Sequence, residues 1–182
     1  MQKQLRDSKD DILEKVYEKG YYYEGKYRGC AQGVVAALSA LFDINETVFK
    51  VASGFSGGIA DEAKSTCGAF AGSIMVISYF FGRDRENYGL SGSKFKYREL
   101  IRKLRRRFLE TYGGETCPAI QMFMFGKKYD MSDPNEAIAF EEAGAHRDKC
   151  THVVGTAAKW VTEILLDEGI PFKKDFIFTK HE

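Results

Sequence analysis

Apolar positions along the chain repeat at helical spacing. Ile12, Leu13, Val16 and Tyr17 fall on one helical face, and Gly20 is expected to close a first helix over roughly residues 5–19. A second starts near Cys30 and carries Val34, Val35, Leu38, Leu41 and Phe42. Asn45 is an N-cap candidate for a third, through Val48, Phe49, Val51 and Ala52, which should stop in the Gly54–Gly58 cluster, read as a flexible corner. The segment Thr66–Phe81 is apolar on nearly every side and predicts a buried central helix whose Gly68, Ala69, Ala71 and Gly72 allow close backbone approach. Tyr88–Ser93 reads as a loop. A long basic helix follows, with Tyr97, Ile101, Leu104 and Phe108 as its apolar stripe and Gly113-Gly114 at its end. Cys117-Pro118 opens a short helix to about Gly126, Asp133-Pro134-Asn135-Glu136 is a capping-box pattern opening another that frays near Gly144, and a last one runs from Cys150 to Gly169-Ile170-Pro171. The tail from Phe172 is too short to assign. This is the pattern of an all-α, single-domain multi-helix bundle of about six to eight helices spanning 1–182.

Composition narrows the class without changing it. At 182 residues and 44% hydrophobic content the chain supports one sizeable core, and three prolines argue against a loop-rich sandwich. The longest apolar run, Ala69–Phe81, is too short to span a bilayer, so no membrane is expected. The polar start, Met1–Asp11, shows no export signal, and a cytoplasmic location is expected. A net charge of +1 conceals an asymmetry: Lys94–Arg107 holds eight basic residues and one acid, leaving about −6 for the remainder. That helix is either a solvated face or a docking surface for an acidic electron-transfer protein. No recognition motif accompanies it, and nucleic-acid binding is not expected.

The chemistry-bearing residues are the cysteines. Cys30, Cys67, Cys117 and Cys150 are 37, 50 and 33 residues apart, so only the tertiary fold can bring them together. No CxxC pair occurs. Each falls at or just before an expected helix start, where the dipole and free N–H groups favour a thiolate. Four such ends converging would make a pocket for an anionic cluster, with Gly29, Gly68 and Gly72 giving close approach. The residues alone leave four packed core cysteines, disulfides, a structural zinc site and a redox site all open.

The segment Cys67-Gly68-Ala69-Phe70-Ala71-Gly72 resembles the core motif of the C_GCAxxG_C_C family of redox-active proteins. Cys30-Ala31-Gln32, Ala52–Gly58, Tyr79–Arg83, Gly114-Glu115-Thr116-Cys117 and Cys150 stand around it in the family's order, so the resemblance covers about residues 20–169. The family is similar to the helical part of split-Soret cytochrome c, for which an iron–sulfur centre has been proposed alongside haems. This chain has no CxxCH, so covalent haem is not implied. The resemblance implies a [2Fe–2S] or [4Fe–4S] cluster on Cys30, Cys67, Cys117 and Cys150, with Gly68 and Gly57-Gly58 giving backbone room beside the sulfurs, and a role in electron transfer. Alternatives are a thiol–disulfide or metal-dependent oxidoreductase, whose catalytic residues would be unassigned, and a structural zinc site on the four cysteines.

His146 and Cys150 would share a face on an unbroken helix, and with His152 they can be written as a mixed His/Cys site; a surface role is the plainer reading. His181 is expected to be solvated. Tyr21-Tyr22-Tyr23 and Tyr27 either line a small-molecule pocket near Cys30 or cover the core or a subunit contact, which leaves a homodimer open.

Overall fold

The computed structural model describes residues 8–89 and 95–173. Expectations for residues 5–7, for the loop at 90–93, for Lys94 and for the tail from 174, including His181, lie outside the described residues. Among the described residues eight α-helices follow one another: α1 Lys9–Tyr27, α2 Cys30–Leu41, α3 Glu46–Val51, α4 Gly68–Phe81, α5 Lys96–Tyr112, α6 Cys117–Phe125, α7 Pro134–Glu142 and α8 Cys150–Asp167. The all-α bundle expected from the periodicity is the observed fold. No helix is long and apolar enough to cross a membrane among the described residues.

Helices α1, α2, α4 and α8 pack on one another around one core, with α5 laid against α4 and α8. Val34, Val35, Leu38, Val76, Ile77, Val154, Val161 and Leu165 are buried in it, and a smaller cluster of Tyr129, Phe140 and Ala145 sits beneath α7. Helix α4 is central, as its composition predicts, and Ser73 satisfies its buried hydroxyl by donating to the Ala69 carbonyl at 2.7 Å.

Several boundaries differ from the periodic reading. Helix α1 does not stop at Gly20. A Cβ there would lie 3.1 Å from the Gly155 Cα on α8, and one on Gly155 would lie 2.7 Å from the Tyr17 carbonyl oxygen. The two glycines are a close crossing of α1 on α8, and packing at that crossing outweighs the helix-breaking tendency of glycine. The helix ends instead at Arg28, in the left-handed region. Helix α4 begins at Gly68, with Cys67 as its N-cap, not at Thr66. Pro118 takes the second position of α6 after Cys117, with Thr116 capping, and Asp133 caps α7 through Asn135 N–H without closing the expected box with Glu136.

The glycine cluster also departs from expectation. Gly57, Gly58, Ile59, Ala60, Asp61 and Ala63 all have positive φ, and the turn is closed by Ala60, Asp61 and Ala63 N–H donating to the carbonyls of Gly54, Ser56 and Gly57. It is a left-handed, hydrogen-bonded turn that walls the site. Between α7 and α8, Gly144 adopts φ 94° and opens a π-helical turn over Ala145–Lys149, so the helix on which His146 and Cys150 would align is interrupted.

Candidate redox site

The four cysteines, dispersed in sequence, line one cavity of about 240 Å³. Each stands at a helix N-terminus: Cys30 and Cys117 are first residues of α2 and α6, Cys150 begins α8 after the π turn, and Cys67 caps α4. Four cysteines at helix starts therefore share one space, and the ends of α2, α4 and α6 favour negative charge there, while α8 continues from the π turn with Cys150 N–H donating to the Ala145 carbonyl.

A device with no trace in the periodicity ties two of them together. Thr66 and Thr116 form an isolated antiparallel bridge, in which Cys67 N–H donates to the Glu115 carbonyl at 2.9 Å and Cys117 N–H to the Ser65 carbonyl at 2.8 Å. Residues 50 apart are thus set side by side with their backbone donors satisfied. The Gln121 amide lies 3.9 Å from Cys117 Sγ, held by its own carbonyl oxygen accepting from Tyr129 N–H at 2.9 Å.

Backbone groups approach the sulfurs closely. Gly57 N–H donates to Cys30 Sγ at 3.3 Å, and the N–H groups of Ala69 and Phe70 point at Cys67 Sγ. A Cβ on Gly68 would sit 2.2 Å from Cys30 Sγ, and one on Gly58 would sit 2.8 Å from Cys117 Cβ. Glycine is required at both positions for the thiols to lie where they do.

The expected lowering of the thiol pKa does not occur. Burial pushes Cys67 up to about 11 and Cys117 to about 12, and raises Cys30 and Cys150 well above the ordinary thiol value. Desolvation outweighs the helix ends and N–H donors, and Glu24 and the neighbouring thiols push Cys30 and Cys150 further in the same direction. All four are free thiols. Among the described residues no group of three or more His, Cys, Asp or Glu side chains is placed to hold a single metal ion.

Two acid–base residues complete the wall. Glu24 on α1 is 2% exposed; its Oε2 accepts Gly29 N–H at 3.0 Å, so it fastens the corner that presents Cys30. Burial raises its carboxyl to about 7. Its Oε1 lies 3.7 Å from His146 Nε2, and His146 Nδ1 lies 2.7 Å from Glu141 Oε1. His146 thus faces the cavity, placed there by the π turn, whereas His152 points away and meets the Tyr17 hydroxyl at 3.0 Å. Sequence periodicity gave no warning of Glu24; the one available signal was an acid on the apolar side of α1 six residues before a cysteine. Tyr23 and Tyr27, with Gln32 and Phe49, line a second hollow of about 340 Å³, while Tyr21 turns its hydroxyl to the Arg147 carbonyl.

The family model described as "Putative redox-active protein (C_GCAxxG_C_C)" matches residues 29–164. The chain belongs to the C_GCAxxG_C_C family. The match takes in all four C_GCAxxG_C_C cysteines, α2 to α7 and most of α8, and it leaves out the whole of α1, including Glu24. No curated protein and no solved structure matches the chain.

Proposed function

We propose that this C_GCAxxG_C_C protein is an electron-transfer protein that holds one iron–sulfur cluster on Cys30, Cys67, Cys117 and Cys150. The observation that carries the reading is the convergence of four thiols, each at the start of a helix, on one cavity. The donor set suits the group: four sulfurs, N–H donors at Cys30 and Cys67, and glycines where a Cβ would exclude the sulfur. A bound cluster would supply one-electron redox chemistry at a potential tuned by those hydrogen bonds and by burial.

A single tetrahedral zinc is a poorer match. Zn–S bonds of about 2.3 Å require the sulfurs to crowd around one point, whereas thiols spread around a cavity suit a group with several metal atoms. The neutral thiols would be deprotonated on binding, which releases protons and makes loading favourable at higher pH. Around the group, Gly57 N–H and the first turn of α4 would hold negative charge on sulfur, Gln121 would orient toward Cys117, and Phe140, Val153 and Val154 would exclude water.

Anaerobic purification followed by visible absorption, EPR, and iron and sulfide analysis tests this directly. The expected result is a coloured protein with acid-labile sulfide, and at least a several-fold loss of iron in Cys67→Ser. Zinc alone, or metal-free thiols that cycle through a disulfide, would replace this reading with the structural or dithiol one.

A further inference from the structure

Aromatic rings run in unbroken contact from the turn at Cys67 to the surface. Phe70, whose N–H faces the Cys67 sulfur, meets Phe108 edge-on at 5.0 Å between centroids. Phe108 touches Tyr112 at 5.6 Å and Trp160 at 5.4 Å, and Tyr112 meets Phe123 at 5.6 Å. Phe70, Phe108 and Tyr112 are buried, but Phe123 is 58% exposed.

Phe123 does not stand alone. Met122 beside it and Leu109, one turn before Tyr112 on α5, are also exposed. Exposed apolar side chains thus flank the Tyr112–Phe123 contact from both helices, and such groups mark an interaction site more often than scattered ones do. Charge then defines the partner. Lys96, Lys103, Arg105 and Arg107 are paired with Glu168, Asp167, Glu115 and Glu163. Arg102 and Arg106 make no ion pair among the described residues, and with Leu109 they occupy positions i, i+4 and i+7 of one exposed face. Glu110 is exposed one turn from Arg106, so the rim is mixed with a basic excess, and apolar side chains beside such a rim fit a small, transient contact steered by charge.

We propose that Arg102, Arg106, Leu109, Met122 and Phe123 form the docking site for an acidic one-electron carrier protein. The proposal rests on the redox reading of the cavity. One electron leaves the reduced carrier and enters the group held by the cysteines, so the carrier is oxidised and the group reduced by one electron, and no atom is transferred. The packed rings link the face to Cys67 by continuous side-chain contact along which the electron crosses.

The test uses the anaerobically purified full chain with a flavodoxin as the acidic carrier. Oxidised flavodoxin binding is followed at low salt, and reduction by its reduced form is followed by stopped flow with dithionite as the small-molecule comparison. R102E/R106E and F123S should each weaken binding and slow reduction by the carrier roughly tenfold or more. The dithionite rate, the visible spectrum and the iron content should stay at wild-type values, as should every readout in the control K50E. Unchanged binding and carrier rates in both variants would overturn the docking site while leaving the redox reading intact. Binding lost in the variants, with no reduction of the wild type by either reductant, would sustain the site and overturn the redox reading. Wild-type protein that sediments as a dimer dissociated by either variant would assign the face to a second copy and overturn the proposal.

Discussion

Glu24 carries the residue-scale argument. An acid whose folded pKa lies near 7, against an ordinary value of 4.5, keeps its proton in the folded chain over a range where the unfolded chain has released it. The folded state therefore binds more protons between these values, and stability must fall as pH rises through them. The full difference is worth about 3 kcal/mol at most, since each tenfold change in proton affinity corresponds to about 1.4 kcal/mol. Chemical denaturation of the metal-free protein should show unfolding free energy declining from pH 5 to pH 7, and Glu24→Gln should flatten that slope while retaining the polar contact at Gly29. A slope unchanged by the substitution would place its origin elsewhere. The same scale explains why the thiols read differently in sequence and in structure. A helix start beside each cysteine was visible in the chain, and it suggested thiolates. Their enclosure around one cavity, with Cys67 buried and the other three half-buried, was a property of the tertiary fold, and it reverses the sign.

At the scale of elements, two kinds of glycine look alike in sequence and behave oppositely in the fold. Gly155→Ala places a Cβ 2.7 Å from the Tyr17 carbonyl oxygen, so the α1–α8 crossing must open. A loss of about 2 kcal/mol is expected from the overpacking, against a gain of roughly 1 kcal/mol in helix propensity. Gly54→Ala meets nothing within 4 Å and should leave the thermal midpoint within a degree or two of wild type, reporting on composition alone. The left-handed turn supplies the converse case. Ile59 has φ 71° and is 42% exposed, so Ile59→Gly relieves a β-branched residue in an unfavourable region at little cost in burial. Urea denaturation should show a gain of roughly 0.5–1 kcal/mol after the added unfolded-state entropy is subtracted. Helix periodicity placed α2, α4, α5 and α8 well because each buries one continuous stripe. It missed the run of α1 past Gly20 because the partner, Gly155, lies 135 residues away. The Thr66–Thr116 bridge was illegible for the same reason: two-residue pairings have no period of their own.

At the scale of the whole molecule, the cavity poses an electrostatic problem that a bound anionic group would resolve. Helices α2, α4 and α6 begin at one space, where a helix end carries roughly half a positive charge, whereas at α8 the Cys150 N–H is already spent on the Ala145 carbonyl of the π turn. Asp61 and Arg28 both line the cavity and are opposite in sign, so with neutral thiols and a largely protonated Glu24 below pH 7 the wall carries little net charge of its own. An anion bound there therefore adds stability, and the gain is folding free energy because the site exists only in the folded chain. Stripping the metal from anaerobically purified protein should lower its thermal midpoint by several degrees. Cys30→Ser and Cys150→Ser should bring the untreated protein close to that lower value. The four-fold Cys→Ala variant should melt near the stripped wild type, within the few degrees expected from trimming small buried groups, and should no longer respond to chelation. A midpoint indifferent to chelation in wild type would mean that the packing of α1, α2, α4 and α8 holds the four helix ends together unaided, with the cysteines serving the core and not a cluster.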